Sequence, residues 1–346
     1  MKTVYILGAG FSSSAGAPLG RDLLNSIIDL ATEPKRWGEP RRFDEKRNAY
    51  LSMLVVSLNK WFGDLKKWDF EQILTILQSW ELFNAIAKEK ADTDNDEFLR
   101  TINRYLVWAA ILSLKVNIGE NKKKMIYDHF VKSLDDDDAI ISLNYDTILE
   151  DAFSRNQRWF SMGISSDTSK SRLTDFYSPG KGIPILKIHG SSNLLKCDNE
   201  DCRELTSVDR KIAEELLAPE VVSDDKSPDC RTCEKGNLRP VIVPPGMNKS
   251  LFLQGIEEIW NRAIKELNSA DKVIVIGCGL ISADFDLEVL LKSTIGSKSD
   301  IPIEIVCKGL DPIMVFRCLT LFSQNKIIFY QEGFENWIQS IWRNRK

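Results

Sequence analysis

At 346 residues, with 43% hydrophobic and 28% charged residues, the chain has an ordinary globular composition and can bury one large or two medium cores. A net charge of −4 supplies no basic field, which argues against direct nucleic-acid binding. No apolar run reaches the roughly 18 residues of a membrane span, and the first residues lack the build of a signal peptide, so no membrane partner and a cytoplasmic location are expected. Seven cysteines in that compartment point to thiols or metal rather than disulfides.

The chain opens MKTVYILGAGFSSSAGAPLGR. Val4 to Leu7 form a short apolar run bounded by glycine, which predicts a core strand over 3–7. Gly8 and Gly10 remove side chains where the backbone turns, so that its N–H groups can approach an anionic ligand. Residues 33–130 carry no strand signal. Phe70, Ile73, Leu74, Leu77, Phe83 and Ile86 fall at helical spacing, as do Phe98, Ile102, Tyr105, Leu106, Ala109 and Leu112, on either side of the polar loop 91–97. A helical insertion is expected there. Further strands are predicted at 139–143 (AIISL), 184–188 (PILKI), 240–243 (PVIV), 272–276 (KVIVI), 302–307 (PIEIVC) and 326–330 (KIIFY). Most are continuous apolar runs, as parallel strands covered on both faces require. The fold class is therefore α/β, a doubly wound, mostly parallel Rossmann-like sheet with a helical insertion and a small zinc-ribbon insertion. The expected division is a core of 1–32, 131–196 and 239–346, the helical insertion 33–130, and a metal module 197–238.

Cys197-x4-Cys202 and Cys230-x2-Cys233 bracket a polar loop with almost no apolar core. Two such pairs can close a tetrahedral thiolate site around a structural Zn2+ ion, and four thiolates leave no open position for catalysis. Cys278, Cys307 and Cys318 lie in apolar surroundings and read as buried thiols. His129 sits in a helical pattern as a surface or core-edge residue. The run Asp135 to Asp138 reads as a solvated turn, because adjacent carboxylates repel one another.

The opening loop departs from the dinucleotide fingerprint GxGxxG: position 13 is Ser13, and the third glycine comes late, at Gly16. The whole run GAGFSSSAGAPLGR instead resembles the cofactor loop of the sirtuin family, GAGxSxxSGIPxFR. Gly8, Ala9, Gly10, Ser12, Ala15, Gly16, Pro18 and Arg21 fall in register, while Leu19 and Gly20 replace the usual acidic and aromatic pair. SLNYD at 142–146 is similar to the family's QNxD element, KIHGSSN at 187–193 to its HG element, and IGCGL at 276–280 stands where it has GTSL. Residues 1–30, 130–196 and 240–310 carry the resemblance.

That resemblance implies NAD as substrate. Gly8, Ala9, Gly10, Ser12 and Arg21 would close over it, Asn144 would hold ribose hydroxyls and an ordered water, and Asp146 the nicotinamide carboxamide. His189 would be the catalytic histidine, with Gly277 and Gly279 facing the adenosine ribose and phosphates; Asp284 and Asp286 lie just beyond. The peptide-gripping signatures FGExxP and GTSLxVxP are replaced by VPPGMNKS at 243–250 and GCGLISADFD at 277–286. With the long helical insertion, these departures resemble prokaryotic sirtuin-like effectors that hydrolyse NAD in antiphage defence. An NAD+ glycohydrolase is expected, acting as a homo-oligomer or with a helicase-like ATPase or other defence-system protein, the helical insertion offering the contact face. An NAD-dependent protein deacylase or ADP-ribosyltransferase stays open as the alternative. A nucleotide sensor is disfavoured, since a sensor needs neither Asn144 nor His189.

Overall fold

The computed structural model describes residues 1–33, 45–87, 93–117, 124–164, 177–178, 181–199, 201–202, 204–208, 229–230, 232–244, 256–280, 284–296 and 298–344. Strand β1 (Thr3–Leu7) is followed by the short α1 (Ala9–Ser12) and then α2 (Gly20–Thr32). Three helices come next, α3 (Glu45–Phe62), α4 (Phe70–Ala87) and α5 (Thr93–Asn117). After α6 (Lys124–Ser133) the chain runs through β2 (Ala139–Ser142), α7 (Ile148–Arg155), β3 (Phe160–Ser161), β4 (Ile183–Lys187), β5 (Gly190–Cys197), β6 (Leu205–Ser207) and β7 (Leu238–Ile242). It closes with α8 (Glu257–Asn268), β8 (Lys272–Ile276), α9 (Phe285–Thr294), β9 (Ile303–Val306), α10 (Pro312–Leu321), β10 (Ile327–Tyr330) and α11 (Gly333–Asn344).

Seven strands form one sheet in the order β10-β9-β8-β1-β2-β4-β3, and every pairing in it is parallel. β1 is central, and its Val4, Ile6 and Leu7 are sealed from solvent, as a strand covered on both faces must be. From β1 the chain winds outward through β2 and β4 on one side and through β8, β9 and β10 on the other. The winding reverses between β1 and β8, and the carboxyl ends of two strands at such a switch point diverge into a ligand crevice. A second, antiparallel sheet takes the order β6-β5-β7. PVIV thus belongs to the small sheet, pairing with β5 rather than joining the parallel one.

The helical stretch packs onto this frame through α2, and its buried residues join those of the sheet in one continuous apolar core. Phe70, Ile73, Leu74 and Leu77 of α4 are buried, as are Ile102, Tyr105, Leu106 and Ala109 of α5. Phe98, expected on the same stripe, is exposed and stacks on Trp61 with ring centroids 6.4 Å apart. The side chains of Phe83 and Ile86 lie outside the described residues, and the stretch 91–97, expected as a loop, is helical from Thr93 onward as the start of α5.

Two polar expectations need correction or detail. Asp135 to Asp137 are exposed, but Asp138 is buried. Its carboxylate accepts the backbone N–H of Thr3 (2.9 Å) and of Asp135 (2.8 Å), tying the start of β1 to the turn before β2. The local charge pattern hides this because the partner amide of Thr3 comes from far away in sequence. Burial pushes the Asp138 carboxyl above its ordinary pKa. His129 stacks face to face on Trp342 of α11, with centroids 4.3 Å apart.

Candidate active site

A cavity of about 510 Å3 opens at the switch point, within the roughly 300–1,000 Å3 usual for small-molecule and cofactor sites. Gly8, Ala9, Gly10, Ser12, Asn144, Asp146, His189, Gly277 and Gly279 all line it. Arg21 lies in the first turn of α2, and its side chain is outside the described residues. Residues 245–250 and 281–283, which fall in the two replaced peptide-gripping stretches, are also outside them.

The glycines do something the sequence alone did not suggest. The N–H of Gly8 donates to the Ile276 carbonyl (3.0 Å) and that of Gly10 to the Gly277 carbonyl (2.9 Å), so both amides bond protein. A Cβ built on Gly10 would stand 2.8 Å from Gly277 Cα, and one on Gly8 would stand 2.6 Å from Cys278 Cα. Gly277 itself has φ +60°, and a Cβ built there would stand closer still to Phe11 N. Absence of side chains here lets two strand-end loops touch backbone to backbone, which builds the floor of the crevice.

Asn144 stands just past β2. Its amide nitrogen donates to the Gly8 carbonyl (2.9 Å) and to Ser12 Oγ (3.0 Å). A carbonyl can only accept, so the Gly8 contact fixes which end of the amide is nitrogen. Both amide hydrogens are therefore engaged, and Oδ1 is what Asn144 can offer a ligand: a hydrogen-bond acceptor. Asp146, also buried, caps the following helix by accepting the N–H of Ile148 (3.0 Å). Between them Tyr145 donates its hydroxyl to the Val243 carbonyl (3.1 Å), and burial, helped by the charges of Glu71 and Asp284, pushes its phenol well up.

His189 follows β4 and is 3% exposed. Its Nε2 lies 3.0 Å from Asp284 Oδ2, and both side chains are almost fully buried. Asp284 also caps α9 through the N–H of Leu287 (3.3 Å), so the carboxylate is held from both sides. An ionised carboxylate accepts only, which places a proton on Nε2 and fixes the ring orientation. The sequence had shown Asp284 near the site without a role; nothing in its local pattern foretold the pairing, which is made across the fold. The helical stretch also contributes to the wall through Asp69, Glu71 and Leu114. Helical periodicity had pointed only to that stretch's core face.

At the far end of β5 the four cysteines converge. The Sγ atoms of Cys197, Cys202, Cys230 and Cys233 all lie within 4.8 Å of one another, and the Cys197–Cys233 and Cys202–Cys230 separations are both 3.7 Å. Thiolates about 2.3 Å from a tetrahedral zinc are about 3.8 Å apart, so the donor set fits Zn2+. Asn199 donates its backbone N–H to Cys197 Sγ (3.4 Å) and its side-chain amide to Cys233 Sγ (3.6 Å), bonds suited to charged sulfurs. The other three cysteines are buried thiols, with burial pushing Cys278 up to about 12 and Cys318 up to about 11. Among the described residues no helix is long and apolar enough to cross a membrane.

No family model and no curated protein matches the chain. Among solved structures it is similar to Sir2Tm bound to a propionylated peptide, at 15% identity and TM-score 0.42 over 99% of this chain and 92% of that one. It is also similar to a Sir2 homologue–NAD complex, at 15% identity and TM-score 0.44 over 99% of this chain and 88% of that one. A Sir2–p53 peptide–NAD+ structure gives 14% identity and TM-score 0.42 over 99% and 92%.

Proposed function

We propose that this chain is an NAD+ glycohydrolase, cleaving the bond between nicotinamide and ribose to give nicotinamide and ADP-ribose. The observation that carries the reading is the convergence of the small-residue loop 8–12, Asn144 and the His189–Asp284 pair on one cavity at the sheet's switch point. In the sequence the loop, Asn144 and His189 sit in three separate motifs that resemble sirtuin elements, and that resemblance supplies the ligand.

The chemistry suits the groups present. When the C1′–N bond breaks, its electron pair goes to the pyridinium nitrogen, so nicotinamide leaves neutral and needs no acid. The ribose left behind has oxocarbenium character, while Asp146 would hold the carboxamide of the leaving nicotinamide. Asn144 Oδ1 orients a ribose hydroxyl or the attacking water. As water bonds to C1′ it must lose a proton; His189 accepts it, and Asp284 holds the ring in place and stabilises the imidazolium. Gly277 and Gly279 lie where the adenosine half would run. A homo-oligomer or a separate defence partner would supply the control that an NAD-consuming enzyme requires.

The test is NAD+ consumption by purified protein with no acylated peptide present, alone and at high protein concentration, reading nicotinamide and ADP-ribose by chromatography. His189→Ala is expected to remove on the order of 10²–10⁴ in rate, the contribution of a positioned base, and Asn144→Ala, which removes the acceptor that orients the ribose hydroxyl or the water, nearly to eliminate cleavage. Turnover that strictly requires an acyl-lysine substrate would favour a deacylase, and tight ADP-ribose binding without any turnover would favour a sensor.

A further inference from the structure

Beneath the turn that carries Asn144 and Asp146 lies a charged group that the reaction just described does not use. Lys187, the last residue of β4, is sealed from solvent, with its side chain 2% exposed. Its Nζ lies 3.2 Å from Glu150 Oε1, and Glu150 is itself buried. The same ammonium donates to the carbonyl of Asn144 (3.2 Å) and to that of Asp146. The ammonium thus donates to two backbone carbonyls, and its charge is balanced by the nearby carboxylate of Glu150, whose oxygens take no hydrogen bond.

A buried ion pair is a poor way to stabilise a fold, since apolar side chains of similar volume commonly do as well or better. What an apolar residue cannot do is bond two carbonyls. β2 ends at Ser142, so the carbonyls of Asn144 and Asp146 lie beyond its ladder. Both belong to residues whose side chains line the cavity. Burial raises the Glu150 carboxyl, and the charge of Lys187 opposes that shift. Glu150 thus has one evident task, to balance the ammonium. Two residues later in the chain, His189 occupies the same wall.

We propose that Lys187 is a positioning residue of the site, its ammonium pinning the carbonyls of Asn144 and Asp146 so that their side chains are presented to the cavity at fixed height. Glu150 is its counter-charge. The idea rests on the NAD+ reading for its kinetic consequence, but the placement of Asn144 can be observed without it.

Removing Lys187 alone would strand a buried carboxylate, so the informative variant is the double substitution Lys187→Met with Glu150→Gln, which removes both charges together. Glu150→Gln alone is the companion, because even a neutral amine keeps two hydrogens for the two carbonyls. The double variant is expected to fold, judged by its circular dichroism and melting temperature, and to lose tenfold or more in kcat with KM for NAD+ changed less than about threefold. Glu150→Gln alone is expected to stay within about threefold of wild type. Selective 15N labelling of asparagine reads the Asn144 side-chain amide directly, assigned by its disappearance in Asn144→Ala. That signal is expected to shift in the double variant and to stay near its wild-type place in Glu150→Gln. A folded double variant with wild-type turnover or an unmoved Asn144 signal overturns the proposal. If wild type proves not to cleave NAD+, the functional reading falls alone, and the amide signal still decides the placement. Should the double variant not fold, Lys187→Arg takes its place: a planar guanidinium keeps the charge but cannot reproduce the compact ammonium's placement against the two carbonyls, and an unmoved Asn144 signal there is equally fatal.

Discussion

Asp284 shows what single residues contribute here and why some escaped notice. Its carboxylate is fixed by the α9 cap and by His189 Nε2 at once, so in the proposed reaction it would hold the imidazole. Asp284→Asn keeps the shape but removes the charge that balances a protonated ring. Cleavage of NAD+ is expected to fall on the order of 10²-fold, the lower end of what a positioned base contributes, with little change in melting temperature. Steady-state rates over a pH series would show it: a His189-dependent profile that is unchanged in the asparagine variant would remove Asp284 from this role. The motifs around Asn144 and His189 were legible because they follow apolar strand runs and resemble, in order, elements of one known family. The pairings of His189 with Asp284 and of Lys187 with Glu150 were not, since each joins residues far apart in sequence with no periodic pattern to mark them. Asp138 failed to show for the same reason.

Among the elements, the parallel strands were the easiest to read, because burial on both faces leaves an unbroken apolar run. β5 was missed. It begins Gly190-Ser191-Ser192-Asn193, a polar stretch that looks like a loop, yet all three polar residues are buried. Ser191 Oγ donates to Asn193 Oδ1 (2.6 Å) and the Ser192 N–H to the Tyr145 carbonyl (2.8 Å), so hydrogen bonds stand in for apolar burial. β5 then leads to Cys197, the first of the clustered sulfurs, in a small sheet where few large apolar residues gather. Metal binding is therefore expected to be what holds that sheet's distal end. Elemental analysis should give about one zinc per chain. Cys230→Ser, which removes one of four thiolates, is expected to lose the zinc and lower the melting temperature; a metal-free protein of full stability would contradict the site.

For the whole molecule, the telling fact is that the helices and the parallel sheet share one apolar core. Helical periodicity revealed α4 and α5 but could not say against what they would pack. Because buried residues such as Leu54, Phe70 and Leu106 belong to the same cluster as Ile6 and Ile141, the helices have no separate core to melt. Unfolding is expected in a single cooperative step over this body. Far-ultraviolet circular dichroism and tryptophan fluorescence, which draws on Trp108 in α5 and Trp260 and Trp337 elsewhere, should then give coincident melting curves. A distinct early transition in either signal would show that the helical stretch stands alone.

The wall of the cavity has two origins. Asn144, Asp146 and His189 follow the ends of the sheet's strands and Asp284 caps α9, whereas Asp69, Glu71 and Leu114 come from the helical stretch. Heritable variation can therefore act on the two halves separately. Substitutions in the helical half would reshape what the cavity admits, or how readily, without displacing the groups proposed to react, so the same sheet could serve a different ligand by changes in that half alone.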